Sequence, residues 1–272
     1  MKSRNYIYLF IFIGLLIFSG CEKEIYIDLN KTNPHFVIEG NINNIIGNST
    51  IRVTKTLNFD QNNEYPAVSG ALVTITDTLL NKIDTLSEKN EGVYTKALFA
   101  GKEGHTYKMT IKVEDEVFTA ISTMPYGLHL DSLAQLNLAG TVFAGGPPAG
   151  TPAAGTTIQI MPLYVKSKTT DKYYQYVIIK NDTLLNRITA RADLLSDVVS
   201  ISFPLFLQAK KNDVFEFDMQ FLDKPAYDYL LDLSRNIGQF SASPANPTTN
   251  ISNGAYGYFK AHTSQKKRIV IK

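Results

Sequence analysis

Tryptophan is absent from this 272-residue chain, and cysteine occurs once, as Cys21. A single thiol excludes an internal disulfide framework, so burial must supply the stability of the fold. An excess of one charge is also missing. The 27 basic and 25 acidic residues give a net charge of +2. The signs are mixed along the chain, with no basic stripe or like-charge block, which argues against a nucleic-acid partner. His35, His105, His129 and His262 are scattered; no two stand at i, i+4 and none joins a metal-type spacing. No Gly-x-Ser-x-Gly elbow, P-loop, His-Glu-x-x-His or EF-hand loop occurs. Glu114, Asp115 and Glu116 are clustered, but where a solvated hairpin tip is expected. The sequence presents no catalytic motif, so a non-enzymatic protein without a cofactor or metal is expected.

What the chain does have begins at its first residues. Lys2 and Arg4 precede an apolar run from Tyr6 to Phe18, followed by Ser19-Gly20-Cys21. A basic head, an apolar core and small residues before a cleavage point describe an export signal over residues 1–20. A cysteine directly after that point describes a lipoprotein, acylated on the Cys21 thiol. A transmembrane helix needs about 20 apolar residues, more than this run supplies. A buried core cysteine or a catalytic thiol with a histidine partner fits poorly at a signal boundary. One departure is Phe18, three before the cysteine, where bacterial lipoboxes carry Leu. Several acyl chains make anchoring stable, each buried CH2 contributing about 0.8 kcal/mol. Residues 21–33 then read as a lipidated tether, leaving about 250 residues for one large β domain or two smaller ones.

From residue 34 to 124 short strands alternate with turns. They are expected at His35–Ile42, Ser49–Thr56, Ala71–Thr76, from Lys82, from Gly92 towards Phe99, at Tyr107–Val113 and at Val117–Ile121. About seven strands in about 90 residues predict an immunoglobulin-like or prealbumin-like sandwich. Met124-Pro125 marks a candidate boundary. A second antiparallel β-sandwich is expected over 125–272, with a mobile Gly/Pro/Ala-rich loop at 139–157. Its strands are expected at Thr157–Val165, Tyr173–Lys180, Val198–Leu205, Val214–Leu222, Gly254–His262 and Lys267–Ile271. Between them the period changes. Tyr227, Leu230, Leu231 and Ser234 share one face, Pro225 suits a first turn, Asp223 suits an N-cap and Gly238 an end, which predicts one helix over 224–237.

Three weaker patterns remain. Tyr174, Tyr176, Tyr256 and Tyr258 stand in aromatic clusters; they read either as core or as an outward face for a carbohydrate or peptide ligand. The triplets beginning at Asp77, Asp84, Asp131 and Asp182 place Thr78, Thr85, Ser132 and Thr183 in an Asp-Ser/Thr-apolar pattern. That pattern resembles the O-glycosylation acceptor of exported Bacteroidota proteins and is also common by chance. Asp77–Ile83 and Asp182–Ile188 are similar in sequence, which fits either a shared hairpin geometry or coincidence.

The order of these features resembles a known family. The lipobox is followed by Cys-Glu-Lys-Glu-Ile, then Phe36-Val37-Ile38-Glu39-Gly40, then Val68-Ser69-Gly70-Ala71, Gly92-Val93-Tyr94, Gly104-His105-Thr106-Tyr107 and Ser122-Thr123-Met124-Pro125. The tail from Pro244 to Phe259 is the most specific part. Together they resemble the Bacteroidota lipoproteins known as the domain of unknown function DUF4249 family. The resemblance implies an outer-membrane lipoprotein, compatible with an outward-facing position. It also implies association with a TonB-dependent nutrient-uptake receptor as an accessory binding protein. It carries over no catalytic residue. A structural or adhesive cell-surface protein is the alternative.

Overall fold

The alternation of apolar and polar residues along Val214–Leu222 sets the plan of the molecule, because it gives one strand two buried faces of different chemistry. A computed structural model describes residues 34–57, 65–137, 156–164, 173–185, 188–192, 205–237 and 245–272. The leader, Cys21, the tether and nearly all of the 139–157 loop lie outside the described residues, as do residues 198–204 of one expected strand.

The chain is mostly β. In order it forms β1 (Phe36–Asn43), β2 (Thr50–Lys55), β3 (Leu72–Asp77), β4 (Lys82–Asn90), β5 (Val93–Thr95), β6 (Thr106–Val113), β7 (Glu116–Thr123) and β8 (Leu130–Asn137). There follow β9 (Thr156–Tyr164), β10 (Tyr173–Lys180), β11 (Thr183–Leu184), β12 (Arg191–Ala192), β13 (Leu205–Ala209), β14 (Val214–Leu222), helix α1 (Lys224–Ile237) and β15 (Tyr256–Val270). Twelve strands make one mixed sheet in the order β11-β10-β14-β15-β1-β2-β5-β4-β3-β6-β7, with β12 beside β10. A second sheet runs β13-β9-β8. The β1–β15 pair is parallel, with Val37 opposite Tyr256 and Asn43 opposite His262.

Two strands change partner along their length. The first half of β4, to Leu86, pairs with β3 and its second half, from Ser87, with β5, the latter ladder being irregular between Glu88 and Asn90. The first half of β15 pairs with β1 and its second half, from Thr263, with β14. Such switches fold a continuous sheet over on itself as a sandwich. One core gathers Ile38, Ile51, Val73, Tyr94, Met109 and Phe118, all at most 1 % exposed. Ile251, Ala255, Phe259 and Ala261, expected with the second unit, pack in this core too. A second core gathers Leu130, Ile160, Tyr174, Tyr176, Phe217 and Phe221. Each large side chain so buried contributes roughly 1.5–3 kcal/mol.

Most expected elements stand where the pattern put them; Tyr173–Lys180, Val214–Leu222 and the helix match end to end. The helix is capped as expected, the Ala226 N–H donating to Asp223 Oδ1 at 3.2 Å. The tail differs. The two expected terminal strands are a single strand of 15 residues. Thr263 and Ser264, polar enough to suggest a break, are buried within it because β14 pairs there.

Candidate functional site

On β14, Phe215, Phe217, Met219 and Phe221 are fully buried in the second core. The intervening Glu216, Asp218, Gln220 and Leu222 face the other way. Register places Gln175 of β10 and Ser264 of β15 on either side of Gln220. By alternation, Tyr258, Lys260 and His262 continue this face along β15. Helix α1 lies over it, Tyr227 stacking on Tyr173 at 4.7 Å and Tyr229 tilting onto Tyr258 at 5.1 Å.

An interface between a helix and a sheet is usually apolar, because burying polar groups costs free energy unless they are paired. Here Gln175, Asp218, Gln220, Lys260, His262 and Ser264 are each at most 7 % exposed. Most are tied together. Gln220 Oε1 accepts from Gln175 Nε2 at 2.6 Å and from Lys260 Nζ at 2.7 Å. Gln220 Nε2 donates to Asp218 Oδ2 at 2.8 Å, and the Ser264 hydroxyl bonds to Asp218 Oδ1. The Gln220 amide has one workable orientation, since an ammonium can only donate and a carboxylate only accept. Burial pulls the Lys260 ammonium down to about 8, partly opposed by Asp218. Burial, reinforced by Lys260, holds His262 well below its ordinary value, and His262 Nδ1 has no hydrogen-bond partner among the described residues. Sequence reasoning passed over this cluster. Its signal was available in the polar residues alternating with Phe217, Met219 and Phe221, which also describes a solvated face.

A separate cleft of about 120 Å³ lies beside the turn joining β3 to β4, lined by Asp77, Asp84, Lys82, Lys102, Leu98 and Tyr107 among others. Two carboxylates in a cleft are what hydrolysis by acidic residues requires. Burial opposes ionisation of Asp77, but hydrogen bonds from His105 and from the Leu80 and Leu79 N–H groups outweigh it and lower its pKa. Burial likewise opposes ionisation of Asp84, and Lys96 at 2.7 Å and Lys82 at 3.1 Å outweigh it. Both are therefore carboxylates at neutral pH, whereas acid–base hydrolysis needs one held protonated. Among the described residues no cluster of three or more His, Cys, Asp or Glu is arranged to hold a metal.

The tail before β15 shows what its motif builds. Asn253 and Gly254 both have positive φ, 59° and 72°, making the expected turn. Ser252 and Thr119 exchange contacts that cover the free edge of β7, with Ser252 N–H donating to the Thr119 carbonyl at 2.8 Å. Gly257 has φ of 100°, and a Cβ there would lie 2.0 Å from the Ile38 carbonyl oxygen. A family model described as domain of unknown function (DUF4249) matches residues 22–268. The chain belongs to the DUF4249 family. A search of curated proteins finds no match to it.

The remaining expected site residues of this DUF4249 chain fall in different places. Tyr174 and Tyr176 are 3 % and 2 % exposed in the second core, which removes them from any outward face. They point to the opposite side of β10 from Tyr173 and Gln175, as alternation requires. Tyr256 is half-buried against His35, ring centres 5.0 Å apart. Tyr258 lies half-buried beneath Tyr229, its hydroxyl accepting from Asn41 Nδ2 at 3.3 Å. Burial, reinforced by Glu39, pushes the Tyr258 phenol up to about 12. The four tyrosines do not form one surface. Thr78, Thr85, Ser132 and Thr183 are all exposed. The two similar segments take different turns. Asp77 ends β3, and its carboxylate accepts from the Leu79 and Leu80 N–H groups, both at 3.1 Å. Asp182 instead sits inside a two-residue turn with Asn181, both at positive φ. The shared hairpin geometry is thus excluded.

Proposed function

We propose that this DUF4249 chain is a lipoprotein of the outer membrane, anchored through acylated Cys21, whose β body is a non-enzymatic accessory to a TonB-dependent nutrient-uptake receptor. The observation that carries the contact role is an apolar rim around the cleft beside the β3–β4 turn. Leu80 and Leu98 are 52 % and 88 % exposed there. Leu80 and Leu98 line the same cleft, and exposed apolar groups brought together favour a protein contact. The anchor draws its support from the export-type leader and from the family match that begins at residue 22, directly after Cys21. Thr78, Thr85, Ser132 and Thr183 are exposed, the Thr78 hydroxyl donating to the Thr106 carbonyl at 3.0 Å, and O-glycosylation of these residues fits this reading.

The test is affinity capture of the full-length protein from gently solubilised envelopes. Recovery of a TonB-dependent receptor by the wild type, with loss of that recovery in Leu80→Asp/Leu98→Asp, is the expected result. No receptor in the wild-type capture counts against the accessory role. Cys21→Ser is expected to leave the membrane fraction; its retention there would remove the lipid anchor from the reading.

A further inference from the structure

The Lys260 ammonium is buried beneath helix α1 with a carboxamide in contact, and that carboxamide is in turn held by a carboxylate. We propose that Lys260 and Gln220 join in a self-catalysed isopeptide bond that cross-links β15 to β14. The inference is independent of where the protein resides and of what it binds.

An amine, a carboxamide, a donor to its oxygen and a carboxylate at its nitrogen stand in one hydrogen-bonded network. Lys260 Nζ is the nucleophile, 2.7 Å from Gln220 Oε1. Gln220 Cδ is the electrophile, and Gln175 Nε2, 2.6 Å from Oε1, donates to the oxygen on which negative charge develops. Gln220 Nε2 is the leaving group, and Asp218 Oδ2 lies 2.8 Å from it. Ser264 holds the other oxygen of Asp218. The Nζ–Cδ bond forms and the Cδ–Nε2 bond breaks. Once bonded to Cδ, Nζ shares that carbon with Nε2, beside which Asp218 lies; there Asp218 relays one proton from Nζ to Nε2, and ammonia departs. No oxidant, reductant or cofactor enters the balance. An amine attacks only when unprotonated, and the desolvation that lowers the Lys260 pKa enlarges that fraction. Preorganisation of the three groups supplies the proximity that a weakly electrophilic amide needs.

The alternative is a static network that only compensates a buried charge. It compensates in part, through the charge of Asp218 and the Tyr258 ring 5.8 Å from Nζ. Among the described residues Gln220 Oε1 is the one acceptor of an ammonium that carries three N–H donors. The isopeptide replaces that ammonium with a neutral amide and so removes the burial cost. The bond would span 40 residues of sequence, enclosing α1 and the tail motif, in a chain whose single cysteine permits no internal disulfide.

The experiment is intact-mass measurement of the full-length protein, followed by tandem mass spectrometry of a proteolytic digest. A mass short of the sequence value by one ammonia, and a branched peptide joining the Gln220 segment to the Lys260 segment, are expected. A succinimide at Asn253-Gly254 would lose the same mass, so the branched peptide decides. Linear Gln220 and Lys260 peptides at full occupancy overturn the proposal. Lys260→Met and Asp218→Asn are each expected to abolish the branched peptide; a folded Asp218→Asn that still forms it overturns the role given to Asp218.

Discussion

Asn250 imitates a strand for Phe259. Its side-chain amide donates to the Phe259 carbonyl at 2.7 Å and accepts from the Phe259 N–H at 2.9 Å. This happens where β15 extends beyond the end of β14 and, among the described residues, no strand pairs with it on that edge. The next N–H on the same edge, Ala261, donates to Ser122 Oγ at 2.8 Å. Replacing Asn250 by Ala leaves both Phe259 groups unpaired, at a cost of roughly 1–3 kcal/mol. Asn250→Asp loses the donor and is expected to be destabilised as well. Urea denaturation midpoints measure both.

Gly257 and Gly254 separate two effects that glycine substitutions usually mix. An Ala at Gly257 places its Cβ against the Ile38 backbone, whereas an Ala at Gly254 meets nothing within 4 Å among the described residues. Gly254→Ala should therefore cost only the left-handed backbone penalty, about 1–2 kcal/mol. Gly257→Ala adds a collision with a buried strand and is expected to cost at least about 3 kcal/mol or prevent folding. Thermal melts of the two variants, made in parallel, test the ranking.

Protonation of His262 gives the stability curve an acid-side slope. Its pKa is lowered well below 6.5 in the folded chain. Below about pH 6.5 the unfolded chain therefore binds a proton that the folded chain refuses, and stability falls as the pH falls. The slope reaches about 1.4 kcal/mol per pH unit for one such proton. His262→Gln should flatten denaturation midpoints between about pH 6.5 and pH 5. A slope equal to that of the wild type would assign the loss to other groups.

Asp223 links the helix to the edge of the first core. One carboxylate oxygen caps α1 at Ala226, and the other accepts from Ser122 Oγ at 2.8 Å and from the Thr123 N–H at 3.0 Å. Asp223→Ala should lose the cap, worth about 0.5–2 kcal/mol, and the two contacts to β7. Hydrogen exchange is expected to rise at both Ala226 and Thr123, two sites about 100 residues apart in sequence.

The elements that were legible in the sequence are those whose neighbours match the local pattern. Tyr173–Lys180 and Val214–Leu222 are apolar enough to read as strands in any setting, and α1 carries its own cap, proline and period. The illegible parts depend on long-range partners. Thr263 and Ser264 read as a break because polar residues end most strands; β14, some 40 residues earlier, makes them interior. The parallel pairing of β1 with β15 joins the two ends of the described chain, and no local feature of either strand announces it. Nothing local to Lys260 or Asp218 announces their burial, for the same reason. Tyr174 and Tyr176 offered two faces, and only the packing of Phe217 and Phe221 decides which one they take.

The parallel seam also sets how the body bears load. β1 is held on one side by β2 and on the other by β15. A pull entering at residue 34 runs along β1, while the hydrogen bonds to both neighbours lie across it. Such a strand cannot be peeled off one bond at a time. It has to slide, with both ladders strained together, so the body resists tension applied at residue 34 along β1.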